Sequence, residues 1–438
     1  MEWWIILILI FGGMIFLFMM GIPVAFAFLT INTIGAFILW NGLGGLEQLT
    51  FNMSSSVASF TFLTIPMFIL MGEIMFRSGI GEKVFEAVGK WFGRLPGRLS
   101  VIAVGNGALF SVLSGSSVAS TVLLGKLLVP DMLKKGYSKQ MSLGPILGSA
   151  GLAIMLPPTT LGILLASIAS IPVGKFLFAI IIPGIILAIL FLIYVVGRSY
   201  LQPNLAPSYD VEKVPLSEKL IDTVKYIIPL GLIVFLLLGV ILLGIATPTQ
   251  GAVLGALGTI VLAYFYGGLT WRKIWESLTG TFTSTVMIFM IIVGSTTFSQ
   301  ILSFTGVTQE IVEIVNNVNA HPMIILILIQ LMLLVLGCFI EPLSIMMMTL
   351  PILMPISQSL GFDPLWFGAI ILLNMQMSTT TPPFGMDLFA MKGAVPDKTI
   401  TMKDIYVSVI PFLILNLICM VLMMMFPSLT LWLPSLVE

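Results

Sequence analysis

Two segments set hydroxyl side chains and paired prolines inside strongly apolar runs: LAIMLPPTTLG (152–162) and STTTPPFGMDL (378–388). Proline carries no N–H, so in a helix it frees the carbonyl four residues earlier. Pro157 and Pro158 would free Ala153 and Ile154; Pro382 and Pro383 would free Ser378 and Thr379. Unpaired carbonyls are costly in hydrocarbon unless they line a cavity or bind something. Carbonyl oxygens supplemented by hydroxyls suit a dehydrated Na⁺. Two further polar interruptions offer matching ligands. SVLSGSSVAS (111–120) supplies Ser114, Ser116 and Ser117, and CFIEPLSIM (338–346), just after Gly337, supplies that glycine's carbonyl region and Ser344.

The second proline segment also carries Asn374, Gln376, Ser378, Thr379, Thr380 and Thr381, a polar face that a lipid-exposed helix would not tolerate. The first offers Ser149, Thr159 and Thr160, so the second is expected to contribute more to an organic substrate. Half-helices starting near residues 159 and 384 could draw an anion to their free N–H groups. The substrate contacts expected are Ser116, Thr159, Thr160, Asn374, Gln376, Thr379 and Thr380. Two roles fit Glu341: a cation ligand or titrating group, or a cap for the helix that Pro342 begins. Asp387, placed toward the cytoplasmic side, is read as structural; Glu73 as solvated or paired; His321 as a helix cap or loop residue. The 28 methionines read as adaptable apolar packing.

The elements that hold these residues must cross a bilayer. The chain has 438 residues, 58% hydrophobic and 9% charged, with mean hydropathy +1.13. A soluble protein carries about 25% charged residues, so this is an integral membrane protein. Long apolar runs without alternation indicate helices rather than a barrel. Net charge near zero gives no nucleic-acid signal, and the cysteines, Cys338 and Cys419, form no disulfide or zinc pattern. The first apolar run lacks a basic leader and cleavage site and reads as a retained helix. Crossings are expected near 3–20, 22–40, 57–76, 141–171, 174–197, 225–243, 247–266, 280–300, 365–395 and 404–430. Regions 100–130 and 322–358 are expected as hairpins, the first re-entrant because its arms are short. With the N-terminus outside, all of the 19 Lys and Arg except Lys175 fall on the cytoplasmic side. Both termini are then extracytoplasmic.

The chain also repeats itself. SGIGEKVFEAV (78–88) matches TGVTQEIVEIV (305–315) at an offset of 227, and Pro157–Pro158 falls on Pro382–Pro383 at 225. Each half, 1–200 and 225–438, would hold five crossings and a hairpin, and the odd number inverts the second half. Residues 201–224 form a polar cytoplasmic linker. Inverted repeats with broken helices mark secondary transporters with a site at the repeat interface. The amphipathic stretches 81–95 and 308–317 fit interfacial arms linking a moving unit to a fixed one. The expected fold is thus an all-α polytopic membrane protein, an elevator-type inverted repeat with broken helices. Its scaffold would be built largely from residues 1–40 and 225–266.

GNGALFSVLSGSSVAS, PPTTLGILLA, GIATPTQGAVLGALG and NMQMSTTTPPFGMDLFAMKGAVP together resemble the large membrane subunit of TRAP (tripartite ATP-independent periplasmic) transporters. The resemblance implies Na⁺-driven uptake of organic acids across a bacterial or archaeal cytoplasmic membrane. It also implies a small membrane subunit as a separate polypeptide and an extracytoplasmic substrate-binding protein. Carried onto this chain, the family's Na⁺ sites would comprise Ser114, Ser117, Ala153, Leu156 and Pro158, and Gly337, Ser378, Thr381 and Phe384. No cofactor is implied beyond Na⁺ as the coupling ion. A self-sufficient Na⁺/carboxylate symporter is the alternative. An intramembrane enzyme is disfavoured by the single histidine and the few carboxylates at depth.

Overall fold

The computed structural model describes residues 2–40, 42–209, 214–266, 268–318, 320–397 and 399–436, with the side chains of all but residues 61 and 111–114. Residues 210–213 of the expected linker lie outside this set. No strand occurs among the described residues.

The chain begins with α1 (Trp3–Met19) and α2 (Val24–Leu39), then α3 (Leu43–Val57), a helix not expected from the sequence. α4 (Thr64–Ser78) follows, so the crossing expected from residue 57 starts later, after a 3₁₀ turn at Phe60–Leu63. The arm α5 (Ile80–Gly89) leads to a hairpin of α6 (Arg98–Ser114) and α7 (Ser117–Lys134). The first proline segment divides α8 (Lys139–Met155) from α9 (Thr160–Ile168) with a bend of 41°. α10 (Val173–Ala179) and α11 (Ile181–Leu201) complete this half. The second half runs α12 (Leu216–Asp222), a π-turn, α13 (Ile228–Leu242), α14 (Pro248–Phe265) and the 34-residue α15 (Trp271–Phe304). The arm α16 (Val307–Asn317) then leads to the hairpin of α17 (Pro322–Gly337) and α18 (Pro342–Ser359). The second proline segment divides α19 (Pro364–Ser378) from α20 (Met386–Ala394), and α21 (Met402–Met425) ends the bundle.

Among the described residues, five spans are long and apolar enough to cross a bilayer alone, and a sixth if α8 and α9 count as one. α1, α2, α17 and α19 are apolar but shorter, at 15–17 residues. At 1.5 Å rise per residue, each covers about 22–26 Å of the ~30 Å hydrocarbon layer.

Local chemistry sets the helix ends. Thr247 and Thr401 form capping boxes with Gln250 and Asp404. The His321 ring accepts the Met323 N–H at 3.2 Å and so acts as a cap. Gly79 and Gly306 occupy the left-handed region, φ 78° and 75°, before the two amphipathic arms. A left-handed turn there is open to glycine without the steric cost a Cβ would bring. Gly136 and Gly361 share that conformation just beyond the two hairpins.

The helices pack in two groups. α2 and α3 lie on α15, and α4 packs on both α14 and α15. This group draws in α3, α4 and α15 beyond the scaffold expected from residues 1–40 and 225–266. Asn32 donates to the Gly294 carbonyl at 2.7 Å, tying α2 to α15. Glu73 of α4 accepts from Arg77 at 2.7 Å, and Arg77 also reaches Glu276 of α15 at 3.3 Å. The second group centres on α8, which contacts α6, α7, α11, α19 and α21. α8 is buried nearly all round, and small residues allow the close approach.

A Cβ on Gly144 would stand 2.5 Å from the Ser408 carbonyl oxygen and 2.8 Å from the Phe412 ring. Gly144→Ala is therefore expected to destabilise the protein by about 1–3 kcal/mol through overpacking. The check is thermal unfolding in detergent beside Gly12→Ala, where a Cβ would meet nothing within 4 Å.

Candidate functional site

The first break begins where α8 stops at Leu156, whose backbone turns extended (φ −98°, ψ 120°). Pro157 and Pro158 follow, and Thr159 caps α9 by accepting the Gly162 N–H at 3.4 Å. Pro157, Pro158 and Thr159 are buried, and Leu156 and Thr160 partly so. α11 makes room through Gly184, where a Cβ would stand 2.7 Å from Leu156 Cδ2 and 3.0 Å from the Met155 carbonyl oxygen. The turn of the α6–α7 hairpin comes close: a Cβ on Gly115 would lie 3.5 Å from Thr160 Oγ1. Hairpin tip and break thus meet, as the serine and proline motifs require if they share a ligand. The Ser114 side chain lies outside the described residues. Ser116, expected at the substrate, caps α7 by accepting the Ala119 N–H at 3.3 Å. Ser149 is spoken for by α6, donating to the Ala103 carbonyl at 3.2 Å.

The second break closes on itself more fully than the proline argument suggests. Ser378, Thr379, Thr380 and Thr381 all turn their hydroxyls back to α19, donating to the carbonyls of Met375, Gln376, Met377 and again Met377 at 2.7–3.2 Å. The Thr379 carbonyl, freed by Pro383, accepts the Asp387 N–H at 3.0 Å, and the Ser378 carbonyl accepts the Thr381 N–H at 3.4 Å. Each carbonyl keeps a second lone pair. The hydroxyl oxygens likewise keep lone pairs, because their protons are what the backbone has taken. Gly337, at the end of α17, meets this break directly: a Cβ there would stand 2.4 Å from Ser378 Cβ. Phe384 is exposed, stacks on Phe389 and faces Phe339 of the α17–α18 turn at 6.0 Å between centroids. Gly337, Ser378 and Phe384 therefore gather beside the second hairpin.

Glu341 starts α18 but does not cap its backbone; it accepts the Ser344 hydroxyl at 3.0 Å.

The expected polar face of α19 divides. The Asn374 amide donates to the Gln330 carbonyl and side-chain oxygen at 2.8 and 2.9 Å, in an apolar groove of about 360 Å³ rimmed by methionines. Gln376 instead donates to Asn416 of α21 at 3.1 Å, and a Cβ on Gly151 of α8 would come within 3.1 Å of it. Two positions apart on a helix are about 200° apart, so one pocket does not collect both. Gln330 and Asn416 were absent from the sequence reading. Their signal was available: each is a lone amide within an apolar run, LILIQLML and LILNLIC. The Asp387 side chain is fully buried.

A separate open cavity of about 760 Å³ lies between the two helix groups. Ser59 and Phe62 before α4, Ser170 and Lys175 around α10, and Thr247 and Gln250 at the head of α14 line it.

Comparison with known proteins agrees with this architecture. The chain is similar over 90% of its length to the Alcanivorax borkumensis YdaH transporter, with 91% of that chain covered, TM-score 0.63 and 14% identity. It is also similar to Neisseria gonorrhoeae MtrF, with 88% and 84% covered, TM-score 0.60 and 15% identity. At such identities the likeness concerns the fold. In sequence it is 30% identical to the ectoine TRAP transporter large permease protein TeaC of Halomonas elongata, covering 97% of each chain. It is 30% identical to the C4-dicarboxylate TRAP transporter large permease protein DctM of Rhodobacter capsulatus, covering 98% and 99%. The sialic acid TRAP transporter large permease protein SiaM of Vibrio cholerae is 29% identical, with 98% of each chain covered. Residues 11–429 match the family described as the tripartite ATP-independent periplasmic transporter, DctM component. With that match spanning nearly the whole length, and a bundle broken twice at Pro–Pro pairs, this chain belongs to the TRAP transporter large permease family.

Proposed function

We propose that this permease carries out Na⁺-driven uptake of a small organic anion, a carboxylate or sulfonate, handed over by an extracytoplasmic binding protein. A small membrane subunit completes the assembly. One observation carries the reading: a hairpin meets a proline break twice, first at Gly115 and Thr160 and again at Gly337 and Ser378, beside Pro–Pro pairs 225 residues apart. Breaks of this kind at depth suit cation and anion binding by exposed backbone. The recurrence of left-handed glycines before both arms supports an inverted repeat.

The group centred on α8, with both hairpins and both breaks, is the transport unit in this reading, and the α2–α4 and α13–α15 group is the scaffold. Na⁺ would sit with Ser114, Ser117, Ala153, Leu156 and Pro158, and with Gly337, Ser378, Thr381 and Phe384. The relatives' names differ in substrate (ectoine, C4-dicarboxylate, sialic acid), so family membership leaves the substrate open. In this reading, with the termini outside, the cavity between the groups opens on the outer face and Lys175 is its cation there. That is a suitable place to receive an anion.

The test is uptake of radiolabelled organic acids into proteoliposomes, with the small subunit and binding protein each added or omitted. Uptake is expected to need an inward Na⁺ gradient and both partners. Thr381→Ala is expected to weaken the Na⁺ dependence at least ~10-fold, the effect of losing one charge-assisted ligand. Robust Na⁺-driven uptake by the chain alone would replace this reading with the lone symporter.

Lys175→Gln is expected to raise KM for an anionic substrate about 3–10-fold, the range of a partly screened charge contact. kcat is expected to stay within error. Initial-rate measurements across substrate concentrations at two ionic strengths check it, because the difference should shrink in high salt.

A further inference from the structure

Asp387 poses an unanswered electrostatic question. Its side chain is fully buried near the start of α20. Neither carboxyl oxygen is held in hydrogen-bond geometry among the described residues. No described Lys or Arg forms an ion pair with it. Lys392, on the same helix, is turned to the Ile400 carbonyl. An isolated carboxylate at such depth is expensive, and ionisable groups there pair with something or serve a path for ions.

The surroundings are oxygens. Thr379 adjoins Asp387, its carbonyl accepting the Asp387 N–H at 3.0 Å, and Ser117 begins α7, which packs on α20. Thr379 has given its proton to the Gln376 carbonyl, so its oxygen offers only lone pairs to a neighbour. α7 supplies a further hydroxyl. Ser117, Thr121 and Gly125 recur at intervals of four and so share one face. That face packs on α20: a Cβ on Gly125 would lie 3.2 Å from Met391 Sδ and 3.4 Å from Ala394 Cβ. Thr121, midway along it, is fully buried and its hydroxyl has no hydrogen-bond partner among the described residues. A carboxylate and hydroxyl oxygens, without nitrogen or sulfur, form a donor set for a hard cation.

We propose that Asp387, Ser117, Thr121 and Thr379 form a cation site at the α7–α20 contact, one that takes Na⁺ and joins the first hairpin to the second break. It rests on the Na⁺-coupled reading above and extends it, because the carboxylate gives the transport unit a fixed negative charge to offset a bound cation. Ser117 is shared with the first Na⁺ set, so occupancy of the two is coupled.

The experiment is a Na⁺ titration of thermal stability, using the full chain in lipid nanodiscs with K⁺ holding ionic strength constant. Asp387→Asn keeps the shape and removes the charge. It is expected to raise the half-saturating Na⁺ concentration at least ~10-fold, and Thr121→Val about 3-fold, as loss of a charged and a neutral ligand implies. K⁺ is expected not to substitute for Na⁺. Both variants titrating like the wild type would overturn this site and leave the Na⁺-coupled transporter standing. An equal loss of stability in Na⁺ and K⁺, with the midpoint unmoved, would overturn it too by making Asp387 purely structural. A wild-type chain that Na⁺ does not stabilise would instead sink the Na⁺-coupled reading beneath it. If Asp387→Asn does not accumulate, Thr121→Val alone decides.

Discussion

Hydrocarbon offers the backbone no hydrogen-bond partner, and this permease depends on how it meets that constraint at its two breaks. Proline pairs interrupt α8–α9 and α19–α20, and each break must answer its own polar groups. At the first, Thr159 caps the next half-helix. At the second, four hydroxyls return to the preceding turn and the Asp387 N–H answers the Thr379 carbonyl. Satisfying the donors in this way leaves the hydroxyl and carbonyl oxygens with lone pairs to spare. In the proposed function these acceptors hold the coupling cation, so that stability and cation affinity would have a common origin.

Irregular backbone at depth must be covered by protein, and small residues provide the cover. Gly184 receives the first break, Gly337 abuts the second, and Gly144 and Gly148 let Phe412 of α21 lie against α8. Buried amides do similar work: Asn374 with Gln330 joins α19 to α17, and Gln376 with Asn416 joins α19 to α21. Interhelical hydrogen bonds of this sort contribute only about 0.6 kcal/mol each on average in membranes. Their value here lies in fixing which helix faces which, so that the polar breaks stay internal. The two helix groups meet with a cavity between them, which gives the transport unit a surface along which to move in the proposed function.

The sequence by itself determined a good deal: membrane residence, from the scarcity of charge; the two breaks, from prolines that cannot complete a helix; and the recurrence of arms, hairpins and breaks, from matched residues about 225 apart. These are local or additive properties, set by backbone chemistry and transfer energy, and they need no knowledge of neighbours. Tertiary structure decided what depends on rotation about a helix axis and on partners distant in sequence. Asn374 and Gln376 looked alike in the chain, yet opposite sides of one helix send them to Gln330 and Asn416. Ser116, expected as a substrate contact, is also the cap of α7. Asp387, near a helix start and close in sequence to Lys392, is buried where α7 packs on α20, with no Lys or Arg paired to it among the described residues. Whether a carboxylate is solvated or enclosed depends on what folds over it, and only packing between the two halves supplies that.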